Sequence, residues 1–162
     1  MRFCSILFGF VLLLPVAGRS QSGPASQDSE RLIALQRSKF VEAVQGKHLD
    51  DCVSLYSPEA ALLEPRGSRI EGQQAIHDLF QLALATANIT IQFNSAALQI
   101  SGDLAFDSGS FTGRTVIHGG GASISISGSY LTVYRRSADG RWLIVQQAWM
   151  APPVSRRLGP QS

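Results

Sequence analysis

Asn88-Ile89-Thr90-Ile91-Gln92-Phe93-Asn94-Ser95-Ala96-Ala97-Leu98-Gln99-Ile100 is the stretch whose reading decides the fold. Ile89, Ile91 and Phe93 alternate with polar residues, the period of a strand with one buried face. Leu98 and Ile100 alternate as well, but in the opposite parity. A parity switch inside one strand needs a bulge, and bulges bend sheets. The same period continues downstream. Leu104 to Val116, Ser123 to Arg136 and Trp142 to Met150 read as strands. Ser101-Gly102-Asp103, Gly119-Gly120-Gly121 and Ala138-Asp139-Gly140 supply the turns between them. The second half is therefore a long, curved antiparallel meander.

Upstream the period is helical. Ile33, Arg37, Phe40, Val41 and Val44 recur at helical spacing between Glu30 and Gln45. Asp28 or Ser29 caps that helix and Gly46 ends it. A short second helix runs from Leu49 to Tyr56 and stops at Ser57-Pro58, because a residue before proline is pushed out of the helical region. Ala60 to Glu64 and Arg69 to Glu71 are short strands around the turn Pro65-Arg66-Gly67-Ser68. Gly72 opens a third helix with the stripe Ile76, Leu79, Phe80, Ala83 and Ala87, leaving His77 and Asp78 to water. Helices first and a bent sheet last make an α+β layout, with the helices on one face of the sheet and a hollow between the layers.

The ends read differently. Arg2 precedes an apolar run, Phe3 to Val16, followed by the small residues Val16-Ala17-Gly18. Residues 1–18 thus read as a cleavable secretory signal, the run being too short to span a bilayer comfortably as an uncleaved anchor. Residues 19–28 are a polar lead-in, 29–151 the folded domain, and 152–162 a disordered tail. The domain is expected to be exported, periplasmic or extracellular, with no membrane association after cleavage.

Charge and cysteines exclude several classes. The 162 residues carry 14 basic and 12 acidic side chains, a formal charge of +2, and the basic residues are scattered. That is no nucleic-acid footprint. Cys4 lies in the signal, which leaves Cys52 without an intrachain partner and best read as a small buried hydrophobe. His48, His77 and His118 stand on different elements with no acid cluster at ligand spacing, so neither metal nor other cofactor is expected. Gly119-Gly120-Gly121 precedes no helix and is no phosphate cradle. Asn88-Ile89-Thr90 matches a glycosylation acceptor, relevant only in a eukaryotic secretory pathway.

Two readings of Glu64 stand side by side. It ends an apolar strand directly before Pro65. Pointed into an apolar hollow, its carboxyl would titrate high enough to act as a general base. At a strand end facing water it is an ordinary surface acid, and the residues alone favour that. Phe40, Tyr56, Tyr130, Gln147 and Trp149 are candidates to line the hollow, and period two puts Val145, Gln147 and Trp149 on one strand face. A core with one or two satisfied polar groups would explain them equally well.

The stretches Leu55-Tyr56-Ser57-Pro58-Glu59-Ala60, Glu64-Pro65-Arg66-Gly67, Ile70-Glu71-Gly72-Gln73-Gln74-Ala75-Ile76, Ser101-Gly102-Asp103-Leu104-Ala105, Tyr130-Leu131-Thr132-Val133-Tyr134-Arg135-Arg136 and Asp139-Gly140-Arg141-Trp142 come in an order that resembles a known superfamily. It is the nuclear transport factor 2-like group, with its SnoaL-like and ketosteroid-isomerase-like members. The resemblance implies a cone-shaped barrel, a strongly curved antiparallel sheet packed on three N-terminal helices around an apolar pocket. It places Glu64 where the isomerases keep their base. Phe40 falls at their oxyanion-holding tyrosine and cannot donate, and Tyr130 falls near their protonated aspartate. The Arg and paired Asp of an epoxide hydrolase and the paired His of a dehydratase are not evident. The leading expectation is an exported pocket domain for a small apolar or amphipathic molecule. An acid-base enzyme using Glu64 and Tyr130 is the alternative, and a homodimeric interaction module pairing through the outer sheet face the third.

Overall fold

The computed structural model describes residues 24–65, 67–120 and 123–151. In chain order these are α1 (Pro24–Gly46), α2 (Leu49–Ser54), β1 (Tyr56–Leu63), β2 (Arg69–Glu71), α3 (Gln73–Thr86), β3 (Ala87–Ser101), β4 (Leu104–Ile117), β5 (Ser123–Arg136) and β6 (Trp142–Met150). One six-stranded sheet runs in the order β2-β1-β6-β5-β4-β3. Its pairs are antiparallel except β1 with β6, which is parallel. The sheet curves around the helices and stays open between β2 and β3, giving the α+β layout expected from the alternation and the cone that the resemblance implies.

The parity switch in β3 is a bulge. Ser95 pairs with Gly109 and Ala97 with Ser108, so Ala96 is the extra residue. Gly109 is what permits it: a Cβ there would stand 2.0 Å from the Asn94 carbonyl oxygen. Past the bulge, Leu98 and Ile100 again turn inward, against Asp107 and Ala105.

A second bulge lies between β5 and β6. Val133 pairs with Gln146 and Tyr134 with Ile144, which leaves Val145 as the extra residue. Trp142 and Ile144 face the core on one side of it, Gln147 and Trp149 on the other. Val145 therefore does not share the face of Gln147 and Trp149, contrary to the unbroken period of two.

Three boundaries differ from the sequence expectation. α1 begins at Pro24, so residues 24–28 belong to the helix and not to a lead-in. Proline is pre-organised for a first helical turn. Ser29 is not a cap but a buried residue, whose hydroxyl accepts from Arg136 Nη2 of β5. α2 ends at Ser54, and β1 already starts at Tyr56. Pro58 is tolerated within it because the β1–β6 register is irregular between Tyr56 and Ala61. In α3 the buried stripe is Ile76, Phe80 and Leu84 rather than Ala83, and Ala87 opens β3. The expected signal, residues 19–23 of the lead-in, Arg66, Gly121 and the tail 152–162 lie outside the described residues.

The core lies between the helical layer and the concave sheet face. Ile33, Phe40 and Val44 of α1, Ile76 and Phe80 of α3, and Ile91, Phe111, Tyr134, Trp142 and Ile144 of the sheet form one cluster.

Candidate functional site

Aromatic rings fill the middle of the cone. Phe40 points from α1 into the sheet and meets Tyr56, Phe80, Phe93 and Trp149 with ring centroids 5.8–6.4 Å apart, mostly edge to face. Around this hub the interior divides into a polar tier and an apolar chamber.

Asp107 of β4 organises the polar tier. Its side chain has no exposed surface. Arg37 Nη1 donates to Oδ2 at 2.6 Å and the Tyr130 hydroxyl donates to the same oxygen at 3.0 Å. Ser95 Oγ, beside the β3 bulge, donates to Oδ1. Burial, then the charge and hydrogen bond of Asp107, push the Tyr130 phenol up to about 12. Burial and the same carboxylate push Tyr134 higher still. Burial works most strongly against the Arg37 charge, but the hydrogen bond to Asp107 and the negative charge of Asp107, with smaller help from Tyr130 and Tyr134, together outweigh it and the guanidinium stays protonated. A second chain of bonds adjoins. The Tyr56 hydroxyl donates to Gln147 Oε1 at 2.6 Å, and Gln147 Nε2 donates to Thr132 Oγ1 at 3.3 Å. The space left in this tier, beside Arg37, Phe40 and Tyr130, is about 10 Å³. That is about one water molecule and no substrate.

The apolar chamber is larger, about 190 Å³. Phe40, Val44 and Phe80 form its helical wall. Ile89, Ile91, Phe111, Ile126 and Trp149 form its sheet wall. Gly113 keeps that wall thin, since a Cβ there would press on the Thr90 carbonyl at 3.2 Å and on Ile126 Cγ2 at 3.3 Å. Arg114 borders the chamber, but it alternates with Gly113 and Thr115, and its Nη2 donates to Ser123 Oγ on the outer face. The chamber thus carries no charged side chain. Trp149 Nε1 is buried and has no hydrogen-bond partner among the described residues. The chamber is itself partly open, since Ile126 on its wall is 36% exposed. A surface groove of about 360 Å³ is lined by Lys39, Glu42, His48, Asp51 and Arg141, which mix both signs of charge.

The candidates from sequence separate accordingly. Phe40 and Trp149 line the chamber, Phe40, Tyr130 and Gln147 line the small polar cavity, and Tyr56 is buried against them. Val145 lines neither. Glu64 is half-buried in the turn after β1, where its N–H donates to the Ser68 carbonyl and its carbonyl accepts from Gly67, both at 2.9 Å. It lines neither of these cavities, so neither of them joins Glu64 to Tyr130. Among the described residues no three His, Cys, Asp or Glu side chains form a metal-binding group. Sequence reasoning missed Asp107, Ser95 and the role of Arg37. A signal existed: Arg37 sits within the apolar stripe of α1, and Asp107 shares strand parity with Ala105 and Phe111. A charge on each of two buried faces calls for a pair.

Residues 38–145 match the SnoaL-like domain family, and the chain belongs to it. No curated protein matches the chain. Among solved structures, a conserved protein from Planctomyces limnophilus is similar at 18% identity and a TM-score of 0.74, over 79% of this chain and 99% of that one. A nuclear transport factor 2-like superfamily protein from Salmonella enterica serovar Typhimurium is similar at 16% identity and a TM-score of 0.71, over 85% and 99%. A ketosteroid isomerase-like protein from Erwinia carotovora is similar at 16% identity and a TM-score of 0.67, over 75% and 94%. These likenesses establish the nuclear transport factor 2-like fold and leave the chemistry to the site.

Proposed function

We propose that this SnoaL-like domain binds one small, neutral, ring-sized apolar molecule, and does so after export from the cytoplasm. The observation that carries the reading is the uncharged chamber of about 190 Å³ between Phe40, Phe80, Phe111 and Trp149. A dry apolar cavity of about 150 Å³ accepts benzene. This one therefore suits one ring or two fused rings. Burying about 200 Å² of such a ligand at about 25 cal/mol per Å² is worth about 5 kcal/mol, a Kd of a few tenths of a millimolar. An ionised ligand would lose its hydration there with no counter-charge. Acid-base catalysis is less well supported. Asp107 already accepts from Arg37, Tyr130 and Ser95. Glu64 stands at the turn, away from both cavities. Export is supported by the Arg2, Phe3 to Val16, Val16-Ala17-Gly18 sequence.

The test uses protein beginning at Arg19, with indane and ionised benzoate as probes. Indane raises the melting temperature and releases or absorbs heat on titration, whereas benzoate does neither. Val44→Phe fills the chamber and removes the indane response. A wild-type protein silent to indane by both methods refutes the binding reading. For export, a reporter fused after residue 23 should appear outside the cytoplasm with its new N-terminus near Arg19, and retention inside refutes that part.

A pairing of two copies through the outer sheet face is favoured by one observation. Leu104, Phe106 and Leu131 turn outward on adjacent strands and are 45%, 36% and 38% exposed. Phe106, Val133 and Gln146 form one row across β4, β5 and β6, with Leu131 and Ala148 in the next. The Phe106 and Leu131 rows carry no charged side chain, and Arg135 lies in the adjacent row with Leu104, which suits a second copy of the same face. Sedimentation should give a dimer that Leu131→Glu converts to a monomer. A monomeric wild type at tens of micromolar refutes it.

A further inference from the structure

We infer that the ring held in the chamber is one end of a longer amphiphile, whose saturated chain leaves over Ile126 and Ile124 and carries its polar end to the rim of the sheet. This rests on the chamber being a binding site, as proposed above. The concave face of the sheet runs in rows across β3, β4 and β5. Ile91, Gly113 and Ile126 form one row and line the chamber. Ile89, Thr115 and Ile124 form the next row, and Ala87 and Ile117 the one after. Ile89 and Thr115 still border the chamber, whereas Ile124 and Ile117 lie past it. Parity fixes their face. Ile124 and Ile126 alternate in step with the buried Tyr130 and Tyr134, and Ile117 in step with the buried Phe111. The apolar floor of the chamber therefore continues beyond the chamber itself.

Exposure shows that the described residues leave this extension uncovered. Ile126 is 36%, Ile117 41% and Ile124 54% exposed. Single exposed apolar residues are ordinary. Three isoleucines on one concave face, continuous with an apolar chamber and with no charged side chain among them, form a patch that calls for an occupant. At the rise of a strand, the floor runs about 13 Å from Gly113 to Ile117. A zigzag chain covers about 1.2 Å per bond, as a fully extended backbone does, so the floor takes about ten bonds. Past it stand His118 and Ser123, both polar and exposed. A polar end placed there keeps its hydration, which it would lose inside the uncharged chamber. The ring thus goes in first and the polar group stays at the rim.

The experiment titrates 2-phenylethanol, 4-phenyl-1-butanol and 6-phenyl-1-hexanol into the wild type and into Ile124→Asn, with indane as the control for the chamber. A methylene taken fully out of water is worth about fourfold in affinity, and one lying on a floor open to one side about twofold. From the shortest alcohol to the longest, binding to the wild type should therefore tighten about sixteenfold. In Ile124→Asn that gain is expected to fall to about fourfold or less, while indane affinity changes less than about twofold. In ¹³C-methyl-labelled wild type, the Ile117 and Ile124 methyl resonances move on adding 6-phenyl-1-hexanol and not on adding indane, a readout that does not depend on the variant. An affinity that is flat along the series, the same gain in both proteins, or unmoved Ile124 methyls in protein saturated with the longest alcohol overturns the inference and leaves the binding proposal standing. So does a wild type whose self-association is abolished by Ile124→Asn, since a second copy then covers the floor. If neither indane nor the alcohols bind the wild type, the binding proposal fails and takes this one with it.

Discussion

Arg37→Met tests whether Asp107 sits as a charge inside the cone. In the wild type the carboxylate is fully buried, and its cationic partner, 2.6 Å away, keeps 23% of its side chain exposed. Methionine retains most of the stem that packs on the sheet and deletes the charge. The carboxylate then keeps two neutral donors, Tyr130 and Ser95, and no cation. Breaking a buried pair from one side costs about 3–5 kcal/mol. The exposed edge of Arg37 means water already reaches part of the pair, so the lower end applies, about 3 kcal/mol. For a domain of this size that lowers the melting temperature by roughly 10 °C. Asp107→Asn keeps an oxygen for Tyr130 and Ser95 and leaves a guanidinium that can reach water, at a cost of about 1–2 kcal/mol. The double variant leaves no lone charge and should be at least 1 kcal/mol more stable than Arg37→Met alone, although it carries one more change. Urea unfolding followed by circular dichroism reads all three, with m unchanged. Arg37→Met within about 0.5 kcal/mol of wild type, or a double variant less stable than Arg37→Met, refutes the account.

Gln147→Leu strands the Tyr56 hydroxyl and should cost about 2 kcal/mol by denaturation, whereas adding Tyr56→Phe should recover much of that loss, since both polar partners are then gone; a non-recovering double variant contradicts the pairing. All three tyrosines of the chain, Tyr56, Tyr130 and Tyr134, have phenols raised by burial above the ordinary 10.0, Tyr130 to about 12. Groups raised in the folded state contribute stability that is complete below the unfolded value, near pH 10, and is lost as pH climbs through the folded ones. Phenolate absorbance at 295 nm should therefore appear together with unfolding above pH 10, and tyrosine ionisation near pH 10 with native circular dichroism would contradict it. Burial also pushes the Cys52 thiol up to about 12. In Cys4→Ser protein a disulfide reagent should thus label Cys52 only at the rate of global opening, and rapid stoichiometric labelling in native buffer would show the thiol to be accessible.

Periodicity carried most of the fold, because the physics there is local. The bulge at Ala96 was readable from the inverted parity of Leu98 and Ile100. The bulge at Val145 was not: Trp142, Ile144, Val145, Gln147 and Trp149 contain enough apolar residues to satisfy either parity. Pro58 reads as a helix stop, but α2 has already ended at Ser54 and Pro58 lies inside β1, where its place depends on slack in the pairing with β6, a property of another segment. The same distinction governs the site. Tyr56, Tyr130, Gln147 and Trp149 were legible as amphipathic side chains, and Phe40 as part of the apolar stripe of α1. The Arg37–Asp107 pair joins residues 70 positions apart and has no local signature beyond a charge in each apolar pattern. Glu64 drew attention through its neighbours in sequence, while its exclusion from both cavities is decided by the turn closing on Ser68 and Gly67.

The strand order β2-β1-β6-β5-β4-β3 has a temporal consequence. β6 is the last of the described strands to be made, and it sits between β1, made early, and β5. Until Met150 is available, β1 and β2 have no neighbour in the sheet except each other, and a two-stranded ribbon is marginal in water. Tyr56 likewise waits for Gln147, and Gln36 for the Trp142 carbonyl. Closure therefore waits until β6 is made, and until then the helices and β1–β5 have no finished core. Deleting β6 should leave the nascent chain open indefinitely, with the β4–β5 hairpin and its apolar outer face the first part to aggregate.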